Sequence, residues 1–278
     1  MRRSRIDAAL FALGVGYVFL YLPILLVIVY SFNESRLVAI WGGFSLRWYR
    51  ELFENEAILG AAWLSLRVAI VASTSATVLG TLAGLALARL GRFRGRLLFS
   101  GMIAAPLVMP EVITGLSMLL LFVSLRALVG WPGGRGSETL AIAHITFCMA
   151  YVAVIVQSRL AGMDESLEEA AMDLGGRPLR VLLDITLPLL APAMLSGWLL
   201  SFTLSIDDLV ISSFVSGPGA TTLPMLIFSK VRLGVAPDIN ALATLMILLV
   251  SLAVAGASWV TLREERRRVR NLQAAAAE

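Results

Sequence analysis

Ser166–Pro192, SLEEAAMDLGGRPLRVLLDITLPLLAP, is a polar island between two long apolar segments, and its reading decides how the rest of the chain folds. Ser166 followed three residues later by Glu169 has the spacing of a capping box. In that motif the hydroxyl accepts the Glu169 N–H and the carboxylate accepts the Ser166 N–H. Leu167, Ala170, Ala171 and Leu174 fall at i, i+3, i+4 and i+7, the apolar stripe of a short helix. Gly175 and Gly176 stop it, because glycine tolerates the left-handed conformation that often closes a helix. Pro178 suits the first position of a second helix, where its missing N–H costs nothing. Pro188 and Pro192 then open a long apolar run. The stretch therefore predicts a helix, a sharp corner, a second helix and re-entry into a membrane.

Working outward, the 278 residues are 58% hydrophobic and 15% charged. A soluble domain carries about a quarter charged residues, so this is an all-α polytopic membrane protein with one transmembrane domain, residues 1–278. A span needs about 20 apolar residues. Six segments qualify: Ala8–Tyr30, Leu64–Ala88, Leu97–Val123, Thr139–Arg159, Pro188–Val215 and Asn240–Leu262. Arg2, Arg3 and Arg5 precede the first, whose apolar run is too long for a cleaved signal peptide, so it reads as an uncleaved anchor. Gly80 and Gly84 give a G-x-x-x-G face, and Gly197, Ser201 and Ser205 a second small-residue face, both suited to close helix contact.

Arginine placement sets the orientation. With the N-terminus cytoplasmic, fifteen basic residues lie inside and eight outside. Arg89, Arg92, Arg94 and Arg96 are the sharpest marker, and Arg263, Arg266, Arg267, Arg268 and Arg270 close the chain on the same side. Both termini and the loop 160–187 are then cytoplasmic. Outside, Trp41, Trp48 and Tyr49 suit a membrane interface. Thr222 is placed to cap a short surface helix over Leu223–Val231, with Pro224 in its first turn.

The arginines flank apolar spans and form no basic domain, so topology explains the isoelectric point near 9.7 better than nucleic-acid binding. A phosphate-binding Walker loop needs a lysine after its glycines, and the sole lysine, Lys230, follows Phe228-Ser229. No nucleophile–base signature is visible, so the chain reads as a transport subunit and not an enzyme. His144 and Cys148 are too few for a zinc site, and His144 among apolar residues reads as a packed helix contact.

Acids inside the spans carry the remaining chemistry. Glu111 follows Pro110 near the middle of the third span, which Pro106 and Pro110 should kink. Asp207 and Asp208 lie in the outer half of the fifth. A buried carboxylate at such depth costs several kcal/mol without water, a partner or a cation. These acids can cap kinked helix ends or pair with Arg67; they can equally offer negative charge to a cation in transit. Neighbouring helix residues point about 100° apart, so only one of the two aspartates should face a central pathway. Tyr151, Trp198 and Phe202 are candidates for cation–π contact.

Two resemblances build on these residues. Glu169-Ala170-Ala171, then Gly175, Ile185, Leu187-Pro188 and Pro192 resemble the E-A-A loop of ABC importer permeases; Leu182 stands where that loop usually has an aromatic. The resemblance implies a type I ABC importer permease fold of six transmembrane helices in a bacterial inner membrane. It also implies that Ser166, Leu167, Glu169, Ala170, Ala171, Leu174 and Gly175 couple to a separate ATPase. Ser205–Gly219 with Thr222-Leu223-Pro224, Tyr21-Leu22-Pro23-Ile24, Val29–Asn33, Met109-Pro110-Glu111 and Asn240–Thr244 resemble polyamine permeases, closest to the putrescine-type second permease. That family implies a second permease subunit, two ATPase subunits holding ATP and Mg, and a periplasmic substrate-binding protein, with no cofactor or metal on this chain. A permease for another amine or an iron species, and an ion-coupled carrier, are the competing expectations.

Overall fold

The computed structural model describes residues 2–36, 40–233, 237–252 and 255. In chain order the helices are α1 (Arg2–Tyr30), α2 (Arg47–Glu54), α3 (Glu56–Arg89), α4 (Arg96–Val108), α5 (Glu111–Val129) and α6 (Ser137–Ala161). Then come α7 (Ser166–Asp173), α8 (Pro178–Val181), α9 (Leu187–Ile206), α10 (Val210–Val215), α11 (Leu223–Leu233) and an apolar α12 (Pro237–Leu252). A π-helical turn, Leu182–Thr186, joins α8 to α9 as one run, Pro178–Ile206. Five described segments are long and apolar enough to cross a membrane, and Arg96–Val108 and Pro237–Leu252 are shorter apolar helices. The expected sixth span runs beyond Leu252, and its remainder and the arginines from Arg263 to Arg270 lie outside the described residues.

The chain divides into two compact units. One comprises the described parts of Met1–Glu56 and Ser229–Glu278. In it α1 is apolar on every side, and its described side chains from Leu10 to Leu26 are exposed, as for a helix facing lipid or another subunit. After α1, the Asn33 side chain gathers a loop: Nδ2 donates to Ile40 O, and Oδ1 accepts from the Ser35 and Gly42 N–H groups. Trp48 is buried against this loop, its indole N–H donating to Asn33 O at 2.6 Å. It is therefore a packing residue, contrary to its expected interfacial placement; Trp41 stays exposed.

The second unit, Ala57–Phe228, is built around α6. Small residues let neighbours approach it. A Cβ on Gly80 of α3 would lie 2.6 Å from Val152 Cβ and 2.8 Å from Met149 O. One on Gly84 would lie 2.9 Å from Ala153 O, so the G-x-x-x-G face does seat α3 on α6. On the other side Gly197, Ser201 and Ser205 of α9 are buried, Gly197 against Val152 and Ser201 with its carbonyl accepting from Cys148 Sγ. Phe122, Leu140, Ala143, Phe147, Ile211 and Val215 fill the core where α5, α6 and α10 meet.

Four expectations need correction. The third span is two helices, not one kinked one: a residue before proline is pushed out of the helical region, and Met109 before Pro110 is extended at φ −75°, ψ 138°. The helix that carries the fifth span does not begin at Pro188 but runs back to Pro178. Pro188 lacks the N–H for an i−4 bond, and the π turn, with the Leu187 N–H donating to Leu182 O, widens the helix ahead of it. It also does not reach Val215 unbroken, since α9 stops at Ile206 and Asp207–Leu209 are not helical. Finally, the Thr222 hydroxyl has no hydrogen-bond partner among the described residues; Ser65 Oγ of α3 accepts the Leu223 N–H at 2.8 Å and serves the start of α11 instead.

Candidate coupling and translocation sites

The helix α7 spans the E-A-A residues, but no capping box forms. Ser166 already lies inside the first turn, and the cap comes from Asp164, whose Oδ1 accepts the Ser166 N–H at 3.0 Å. That N–H and the Ser166 hydroxyl hold the Asp164 carboxyl below the usual carboxylate range. At the other end Gly175 takes φ +88° and turns the chain, as its glycine predicts. Gly176 is packed closely, a Cβ there falling 2.6 Å from Ala171 O.

The orientation of α7 matters most. Leu167 is 51% exposed and Leu174 91%, with Glu169 and Ala170 exposed and Ala171 half-buried. The apolar stripe therefore points away from this chain's own bundle. Glu168 turns inward, its side chain 18% exposed, and with the part-exposed Met172 one turn on it lines a cavity of about 570 Å³ together with Leu82, Ala86, Arg89 and Val181. A connector merely packed on its own bundle would bury Leu167 and Leu174.

Glu168 is the residue that sequence reasoning missed. Its carboxylate meets the Arg89 guanidinium and accepts from the Thr186 hydroxyl at 3.0 Å. The available signal was its position one residue off the apolar stripe, which turns it toward the bundle.

The intramembrane acids separate into distinct environments. Asp208 Oδ1 accepts the Ile211 N–H at 3.2 Å, and Oδ2 accepts the Ser212 N–H at 2.7 Å, capping α10. Oδ2 also lies 3.3 Å from His144 Nε2, and the Asp208 side chain is only 6% exposed. His144 bridges further, with Nδ1 2.6 Å from Ser205 Oγ and Nε2 3.1 Å from Ser212 Oγ. The lone histidine thus ties α6 to the end of α9 and to α10.

Asp207 is exposed and sits at the C-cap of α9, where the helix dipole disfavours an anion. No side-chain partner for it is found among the described residues. Glu111 occupies the first turn of α5, where the dipole favours an acid; it too is exposed and lies within electrostatic reach of Tyr151. Arg67 is exposed and pairs with none of these acids. Among the aromatics, Trp198 stacks on Phe202 at 5.3 Å with its indole N–H donating to Thr74 Oγ1, and Tyr151 meets Phe147 edge-on at 5.2 Å.

A bundle of membrane-length helices with an outward-facing E-A-A helix defines a transporter's membrane subunit. Residues 76–269 match the family described as binding-protein-dependent transport system inner membrane component, and the chain belongs to that family. It is therefore a multi-pass transport subunit of an inner membrane and not an enzyme. It is 58% identical over 261 residues to the putrescine transport system permease protein PotI of Escherichia coli strain K12, covering 94% of this chain and 93% of that one. It is 46% identical over 235 residues to the spermidine/putrescine transport system permease protein PotC of Haemophilus influenzae, covering 84% and 89%. The fold matches a crystal structure of a bacterial ABC transporter involved in the import of the acidic polysaccharide alginate. The TM-score is 0.70 at 16% identity, over 94% of this chain and 97% of that one, and the shared architecture is the type I ABC importer permease fold.

Proposed function

We propose that this chain is one permease subunit of an ATP-driven polyamine importer, with putrescine as its first substrate. One observation carries the reading: near-full-length kinship, at 58% and 46% identity, with permeases named for putrescine and for spermidine with putrescine. The geometry is consistent with it. A diammonium chain needs carboxylates with free lone pairs, and Asp207 and Glu111 are exposed acids in a span-rich unit. Asp208 is spent on the α10 cap and His144, so it shapes the site while Asp207 faces the cargo. Tyr151, Trp198 and Phe202 add aromatic surface against which methylene linkers and ammoniums pack.

In this reading the loop 160–187 and both termini are cytoplasmic. A second permease completes the pathway, two ATPase subunits hold ATP and Mg, and a periplasmic binding protein delivers the substrate. The stripe Leu167, Ala170, Ala171 and Leu174, exposed except for the half-buried Ala171, edged by Ser166 and Glu169 and ended by Gly175, is the surface an ATPase groove grips. ATP binding biases one arrangement of the ATPases, and α7 moves with it to shift the spans between outward and inward access.

The test is ATP hydrolysis by the reconstituted complex with its binding protein. Putrescine should stimulate it several-fold more than an amino acid does. Stimulation by an amino acid or a ferric chelate, with none by putrescine or spermidine, would contradict the substrate class.

A further inference from the structure

The face of α7 that looks inward has its own construction. Arg89 is the last residue of α3, and its Nη1 is paired with Glu165 at the start of α7. Its Nη2 donates to Glu168 Oε1 at 3.3 Å, while Nε approaches Glu168 Oε2 at 3.3 Å off hydrogen-bond alignment. Glu168 Oε1 also accepts from Thr186, the last residue of the π turn below α9. One carboxylate therefore joins α3, α7 and the base of α9.

Two features make this tie mechanical. The side chains of Arg89 and Glu168 are only 20% and 18% exposed, so solvent does not erase their attraction as it does for surface pairs. Arg96 fixes the anchor point as well: its Nη2 donates to Leu87 O at 2.8 Å in the last turn of α3, and its Nη1 to Gly91 O at 2.6 Å just beyond the helix. Meanwhile the cavity of about 570 Å³ beside Glu168 and Met172 leaves α7 without close apolar backing there.

We propose that Arg89, Glu168 and Thr186 form the tie through which α7 moves α3 and α9 together, with Arg89 as a positioning residue. The proposal rests on the permease reading above but uses none of the residues on the exposed stripe. The test is the ratio of putrescine imported to ATP hydrolysed by the reconstituted complex, measured for Arg89→Ala, Thr186→Val and the exchanged set Arg89→Glu with Glu165→Arg and Glu168→Arg.

Charge-assisted links of this kind correspond to about tenfold effects. Arg89→Ala should still assemble with the ATPase and hydrolyse ATP, while import per ATP falls roughly tenfold. Thr186→Val should give a smaller drop, and the exchanged set, which keeps an opposite charge at both contacts of residue 89, should recover import. An unchanged ratio in an assembled Arg89→Ala complex would overturn the tie, as would an exchanged set no better than Arg89→Ala. If Arg89→Ala fails to assemble, Thr186→Val decides, since it deletes only a hydroxyl; an unchanged ratio there overturns the proposal. A wild-type complex that hydrolyses ATP but imports no putrescine would contradict the substrate reading instead, and the ratio is then taken with the substrate it does import.

Discussion

Asp207 and Asp208 are neighbours with opposite circumstances. Asp208 has its lone pairs taken by two backbone N–H groups and a histidine, whereas Asp207 is exposed at the unfavourable end of a helix dipole. The two should therefore fail differently when changed. Asp208→Ala removes a cap worth about 1 kcal/mol and strands buried His144, so the purified protein should unfold at a lower temperature. Asp207→Asn should leave thermal unfolding unchanged but slow putrescine import about tenfold, the equivalent of one hydrogen bond to a charged group. Equal losses of stability in both variants would show that Asp207 is structural too. That acids stood in the fifth span was legible from sequence. That the helix breaks between them was not, because no glycine or proline marks residues 206–209. The break is set by Asp208 reaching forward to Ile211 and Ser212 and across to His144, contacts between residues up to 64 positions apart.

At the scale of elements, the E-A-A helix was read correctly in its existence, its stripe and its glycine stop, all of which are local properties. Its cap was misplaced by two residues, since Asp164 and Ser166 both suit an N-terminus and the choice falls to the carboxylate nearer the turn. Span three was misread because an apolar run looks alike whether or not a proline within it breaks the helix. The close contacts of Gly80 and Gly84 were legible because only glycine admits such approach. The tie through Glu168 was not, because it joins Arg89 to residues nearly eighty positions away. The exposure of the α7 stripe leads to a further expectation. Leu167→Glu and Leu174→Glu change side chains outside the buried core and should alter its stability by no more than about 0.5 kcal/mol. Each should nonetheless lose the ATPase on co-purification. Retention of the ATPase by both variants would place the docking surface elsewhere.

At the scale of the whole molecule, composition alone fixed the class: a chain 58% hydrophobic with 15% charged residues has too few charges for a soluble domain. The only lysine, Lys230 near the end of α11, is paired with Asp238 of α12, so it is engaged within this chain. The cargo is the property least visible in the fold, since the same architecture serves alginate import at 16% identity. It rests on near-full-length kinship and on which acids remain unpaired. The most direct test is uptake of labelled putrescine by cells lacking only this chain, with and without its restoration and with ATP depleted. Uptake should be lost without the chain, return with it, and stop when ATP is exhausted though the proton gradient is kept. Uptake that is indifferent to the chain, or that persists on the proton gradient alone, would contradict an ATP-driven polyamine permease.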